Sequence, residues 1–137
     1  MSANSKPSSR KYQHVCLLMG GWSAEREVSL SSGRECAKAL ETAGYRVTTL
    51  DADRDVARRL KEIAPDAVFN ALHGKWGEDG CVQGLLEVLG IPYSHSGVLA
   101  SSVAMSKELT KAIVAAHGVP VADAVLLTPD EPMARHA

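Results

Sequence analysis

Aromatic side chains are scarce. Two tryptophans, three tyrosines and one phenylalanine make up 4% of the 137 residues, too few for a base-stacking platform of the kind that grips single-stranded nucleic acid. An excess of charge is missing too: 15 Lys and Arg stand against 16 Asp and Glu, for a net charge of −1 and a sequence pI near 6.5. That balance carries no footprint of a nucleic acid or of an anionic membrane as partner. No apolar run approaches the roughly 20 residues of a membrane-spanning helix. The opening MSANSKPSSRKYQ lacks the apolar middle of a secretion signal, and residues 1–12 read as a disordered tail. Cys16, Cys36 and Cys81 are odd in number and form no CxxC. They are expected to be small buried thiols in a reducing compartment, which makes the chain cytoplasmic.

The common nucleotide and hydrolase motifs are absent as well. The chain has no GxGxxG, HExxH or GxSxG. Gly74-Lys75 is followed by Trp76, and Phe69 stands where a phosphate-binding GxxxxGK[ST] loop needs its first glycine.

What is present is an ordinary globular composition, 45% hydrophobic and 23% charged. A domain of this size buries roughly two-thirds of its unfolded surface, enough for a core without metal or disulfide. His14–Met19 is an apolar run closed by Gly20-Gly21, which predicts a buried strand and a tight turn. A helical period follows from about Glu25 to Ala43, with Val28, Cys36, Leu40 and Ala43 able to share a face. Ser29, Ser31, Ser32 and Gly33 are small enough to let that helix lie close to a sheet or a ligand, and Gly44 is a C-terminal stop. Arg46–Asp51 reads as a second strand. Val56, Leu60 and Ile63 mark a short helix ended before Pro65.

Ala67–Leu72 is a third buried strand, followed by the loop HGKWGEDG and a helix with Val82, Leu85, Leu86 and Leu89 in one stripe. Ile91-Pro92-Tyr93 starts a short fourth strand, and a turn over Ser94–Gly97 leads through Val98–Met105 to a helix near Lys107–His117. Val119-Pro120 and Ala124–Leu127 are candidates for one more strand. Apolar strands alternating with helices predict an α/β fold, a Rossmann-like parallel sheet with helices on both faces. Right-handed crossovers put the loops Gly20–Glu25 and His73–Gly80 at one sheet edge, around a common crevice.

Glu25 and His73 carry the chemical potential of that crevice. Glu25 is either a carboxylate favoured by the helix dipole or one that captures an ammonium group. His73 either caps a strand end or acts as a polar anchor or proton carrier. Glu78 and Asp79 suit capping roles before the following helix. Trp22 and Trp76, in the same two loops, suit apolar walls or a domain contact. A lysine such as Lys107 at the start of a helix is ordinarily solvated.

Three stretches together resemble the D-alanine–D-alanine ligases. They are Leu18-Met19-Gly20-Gly21-Trp22-Ser23-Ala24-Glu25-Arg26-Glu27-Val28-Ser29, the run from His73 to Gly84 (HGKWGEDGCVQG), and Ile91-Pro92-Tyr93-Ser94-His95-Ser96-Gly97-Val98 continuing to Met105-Ser106-Lys107. The resemblance covers about residues 14–127. It implies ATP-dependent joining of two D-alanines into the dipeptide of peptidoglycan precursors, through an acyl phosphate, with two Mg2+ ions neutralising the phosphates. It also implies that Glu25 binds the ammonium of the first D-alanine, Val28 contacts that substrate, His73 orients it near its carboxylate, and Lys107 reaches an ATP phosphate.

Members of the family are three-domain ATP-grasp enzymes, and most are dimers of identical chains. The expected organisation is a tail at 1–12, a substrate-binding α/β domain at 13–95, and the start of the central ATP-grasp domain at 96–137. The Mg2+ ligands and the remaining catalytic groups are expected outside this sequence, so the chain alone is expected to lack ligase activity. The alternative is a free-standing Rossmann-like module that binds a partner or dimerises without catalysis. A hydrolase built on Glu25 and His73 would lack a nucleophile.

Overall fold

The computed structural model describes residues 11–125. Residues 1–10 of the predicted tail and 126–127 of the predicted last strand lie outside the described residues. Three strands, β1 (His14–Met19), β2 (Arg46–Asp51) and β3 (Ala67–Asn70), form a parallel sheet in the order β2-β1-β3. Val15 faces Val47 on one side and Ala67 on the other, which fixes the register. Helices α1 (Arg26–Thr42), α2 (Val56–Ile63), α3 (Cys81–Leu89), α4 (Val98–Met105) and α5 (Lys107–Ala116) complete the fold.

The period-2 alternation of β1 divides the core. Cys16 and Leu18 point to one face, packing with Leu50 and Val68 under Val56 and Leu60 of α2 and Val82 and Leu86 of α3. Leu17 points to the other face, against Ala37 of α1 with Met19, Cys36, Leu40 and Phe69 around it. Helices therefore cover both faces, as the apolar strands predict. Burial pushes the Cys16 thiol up to about 11, so it is an inert part of the core. Cys81 departs from the expectation of buried thiols and is exposed.

Helix α1 corrects the predicted contact face. Its buried residues are Ser29, Gly33 and Ala37, while Val28 is exposed and Ala43 is the exposed C-cap. The sheet supplies the bulk and the helix supplies the space: a Cβ on Gly33 would lie 2.6 Å from Met19 Cβ. A stripe of small residues four apart is thus the docking surface, flanked by Cys36 and Leu40.

Strand β3 is two residues shorter than predicted. The Asn70 side chain accepts from the Leu72 N–H at 3.1 Å, a side-chain turn that bends the chain out of the ladder. The predicted fourth strand reduces to one bridge, Val68 with Tyr93. Pro92 has no N–H to donate, and the Asn70 N–H turns instead to the Ser94 hydroxyl at 2.9 Å, so the ladder stops. Val98–Met105 is helical. Among the described residues, 119–125 form no strand, and no helix is long and apolar enough to cross a membrane.

The start of the sheet carries a pH dependence. His14 is buried with Nδ1 unpartnered and Nε2 2.8 Å from Thr48 Oγ1. A proton added at Nδ1 would find no acceptor, and burial, then Arg46, push this imidazole below its ordinary value of 6.5. The Asp66 carboxylate accepts from the His14 and Gln13 N–H groups at 2.8 and 2.9 Å, which hold it below the usual 3.8. Both values are depressed in the folded state. Each group therefore stabilises the fold fully above its unfolded value, and that contribution is lost as pH falls through the folded one. The urea midpoint is expected to decline below pH 6.5 as His14 must charge, then again below 3.8. Asp66→Asn should flatten the second step and, by removing the one charge that raises His14, move the first to lower pH, which a midpoint series from pH 8 to 3 reads directly.

Candidate functional site

In the order β2-β1-β3 the chain leaves β1 toward one side and returns on the other. The carboxyl ends of β1 and β3 are therefore a switch point, where loops part and leave a crevice. The loops after these strands meet there. Ser23 donates to the His73 carbonyl at 2.8 Å, and Trp22 and Trp76 pack with centroids 6.2 Å apart.

The first loop is held at both ends. Arg26 makes a two-pronged pair with Asp51 at 2.7 and 2.5 Å and donates to the Gly21 carbonyl at 2.8 Å. The Arg26 hydrogen bonds are the main cause that holds the Asp51 carboxyl below its ordinary range. Ser29, fully buried, accepts from the Gly20 N–H at 2.9 Å and donates to the Ala71 carbonyl at 2.6 Å. One hydroxyl thus joins the end of β1, the start of α1 and the end of β3.

The second loop is held from below and within. Asn70 and Gln83, both buried, donate to the Gly77 carbonyl at 2.8 and 2.9 Å. Glu78 accepts from the Gly74 N–H at 2.7 Å. Asp79 accepts from the N–H groups of Trp76 and Cys81 at 2.9 and 3.1 Å. Burial would raise Asp79, and these hydrogen bonds outweigh it and hold the carboxyl below its ordinary value. Glu78 and Asp79 are therefore loop and helix-start acceptors, as their positions predict.

Glu25 is the N-cap of α1 and is exposed. Its carboxylate lies against the second loop: a Cβ on Gly74 would stand 2.5 Å from Glu25 Oε1. Gly74, at φ 68, leaves room for that carboxylate and adopts a conformation few other residues tolerate.

His73 is half-buried, with Nε2 3.0 Å from Ser32 Oγ. The Ser32 hydroxyl also reaches the Val28 carbonyl at 2.9 Å, and His73 Nδ1 lies 3.9 Å from Glu78 Oε1.

Glu25, Val28 and His73 thus come together at the edge, on the α1 side of the crevice. Lys107 does not join them. It is exposed at the first position of α5, a helix that packs on α4.

Sequence reasoning missed Ser32 as the partner of His73. The signal was available, since Glu25, Val28 and Ser32 recur at three and four residues, on one helix face. Ser32 is a positioning residue for the imidazole. Ser32→Ala is expected to lower activity of the complete protein about two- to tenfold, the worth of one neutral hydrogen bond. Ser32→Thr should restore it, and the pH profile of kcat/KM should move in the alanine variant only.

The family described as D-ala D-ala ligase N-terminus matches residues 52–96. A D-alanine–D-alanine ligase of Cereibacter sphaeroides is 64% identical over 129 residues, 94% of this chain and 42% of that protein. The chain belongs to the D-alanine–D-alanine ligase family. The ligase of Parvibaculum lavamentivorans is 62% identical over 115 residues, 84% of this chain and 37% of that one. A solved D-alanine–D-alanine ligase of Bacillus anthracis, complexed with ATP, superposes with a TM-score of 0.75 at 39% identity, covering 88% of this chain and 42% of that chain. The chain spans about two-fifths of the length of the ligases it matches.

Proposed function

We propose that this chain forms the first-substrate wall of an ATP-dependent ligase that joins two D-alanines for peptidoglycan synthesis. The observation that carries the reading is the convergence of Glu25, Val28 and His73 on one side of a crevice at the switch point of the sheet. The 64% identity with a ligase across nearly the whole chain supports it.

In this reading Glu25 binds the ammonium of the first D-alanine from the start of α1. Val28, exposed on the first turn of α1, contacts the same substrate. His73, held beside Ser32 through Nε2, orients the substrate near its carboxylate. Residues 96–137 open the central domain, and the complete protein works as a dimer of identical chains in the cytoplasm.

ATP, when bound, supplies the phosphoryl group that activates the first D-alanine's carboxylate. Lys107 fits a phosphate contact: its ammonium is exposed, has no carboxylate partner among the described residues, and stands at a helix N-terminus. Among the described residues no three or more His, Cys, Asp or Glu side chains cluster, and this reading expects the Mg2+ ligands outside this sequence.

Extended to the full length of its relatives, the protein is expected to release ADP only when D-alanine is present. ADP release that ignores D-alanine, or that L-alanine supports equally, overturns the reading. The alternative of a binding or dimerising module draws on Val88, Leu99 and Leu109, which stand exposed on α3, α4 and α5. A stable dimer of the 137-residue chain on gel filtration would favour it, and a monomer would not.

A further inference from the structure

A second compartment lies on the other side of His73. It is a cavity of about 150 Å³ walled by Val56 of α2, Val82 and Leu85 of α3, and Leu72 at the end of β3, with Trp22 and Trp76 at its mouth. Glu25 and Val28 do not line it. A dry apolar cavity of about this size accepts a benzene-sized ring.

The mouth is built. Trp76 is held at φ 76, a conformation unfavourable for a bulky residue, with its N–H tied to Asp79. Both indoles are about two-fifths exposed, 40% and 37%. A cation lies near each: the Arg54 guanidinium 5.7 Å from the Trp22 ring and Lys75 Nζ 4.9 Å from the Trp76 ring. Among the described residues, neither cation is in a salt bridge, and aromatic faces satisfy only part of their charge.

We propose that this cavity binds a small aromatic carboxylate. The ring fills the space between Leu72, Val56, Val82 and Leu85, and the carboxylate meets Lys75 at the rim, with Arg54 beyond the Trp22 ring adding positive charge nearby. Charge decides the class. A neutral ring leaves both cations without an anion, and an organic cation is repelled by them. Alanine is excluded on two counts: its methyl fills a small part of the cavity, and its ammonium would face two positive groups. His73 lines this cavity as well as lying beside Ser32, while Glu25 and Val28 stand outside it, so Glu25 is where the inference and the ligase reading can be tested apart.

The chain carries its own reporter, since Trp22 and Trp76 are its only two tryptophans. Phenylacetate titrated into the full chain should change tryptophan emission saturably in about the millimolar range, as expected for a ligand of this size. Phenethylammonium, the same ring with opposite charge, should bind about tenfold more weakly. Lys75→Met should weaken phenylacetate about threefold, the worth of one half-exposed ion pair. Leu85→Phe should abolish the response by filling the cavity. Lys75→Met, at an exposed position, keeps the test open if that core variant fails to fold. Glu25→Gln should leave the response intact. A response that does not saturate, or equal affinity for the anion and the cation, overturns the proposal.

Discussion

Glu25→Gln in the full-length protein is expected to raise the KM for the first D-alanine and lower kcat/KM by about 10- to 150-fold, the worth of a charge-assisted hydrogen bond. The physical ground is the position of the carboxylate. It extends from the N-cap residue of α1 and rests in the space that Gly74 leaves by having no side chain. Glutamine keeps the shape and the acceptor oxygen and removes only the charge, so a loss isolates the ammonium contact. The effect should fall mainly on KM, because the ammonium is bound in the ground state and in the transition state alike. A companion His73→Ala should lower kcat as well, since it frees the group that orients the reacting carboxylate. Steady-state ADP release measures both. Unchanged rates in both variants would remove Glu25 and His73 from the site.

Ser29→Ala is expected to destabilise the fold by about 2–4 kcal/mol, because it leaves two buried backbone groups unpaired at about 1–3 kcal/mol each. The Gly20 N–H and the Ala71 carbonyl both depend on this one fully buried hydroxyl. The alanine methyl cannot bond to either group, and no space opens for water to replace it. A urea titration should show a lower midpoint with an unchanged slope, since the surface exposed on unfolding stays the same. The loss should also loosen the crevice, because Ser29 joins the strand ends that carry both loops. If the unfolding free energy from that titration falls by less than a few tenths of a kcal/mol, the hydroxyl is not the tie described here.

Much of the fold was legible in the chain. The alternation of apolar strand runs with helical stripes, and stops such as Gly44, Pro65 and Gly90, carries the order of elements through α3. The two glycine-bearing loops could be placed at one edge because right-handed crossovers leave no other arrangement. What failed did so where a polar side chain replaces the backbone as a hydrogen-bonding partner. Asn70 bonds the Leu72 N–H and ends β3 early, and the Ser94 hydroxyl takes the Asn70 N–H and cuts the fourth strand to a bridge. Periodicity does not register such bonds. The face of α1 was misread for a related reason. Counting apolar residues selects Val28 and Ala43, whereas the helix docks through Ala37 and through Ser29 and Gly33, the small residues that the sequence marks for close approach, because the sheet already fills the space.

The site divides in the same way. Residue types and spacing single out Glu25 and His73 and put their loops at the same edge, since strand order and chain handedness follow from local pattern. Local pattern cannot say which atoms meet. The approach of Glu25 to Gly74, the contact of His73 Nε2 with Ser32, and the apolar cavity behind the two tryptophans arise between segments some 40 to 50 residues apart. Such contacts depend on the distance between a helix and a sheet to within an ångström. That distance is set by the packing of side chains from both, which only the assembled tertiary structure determines.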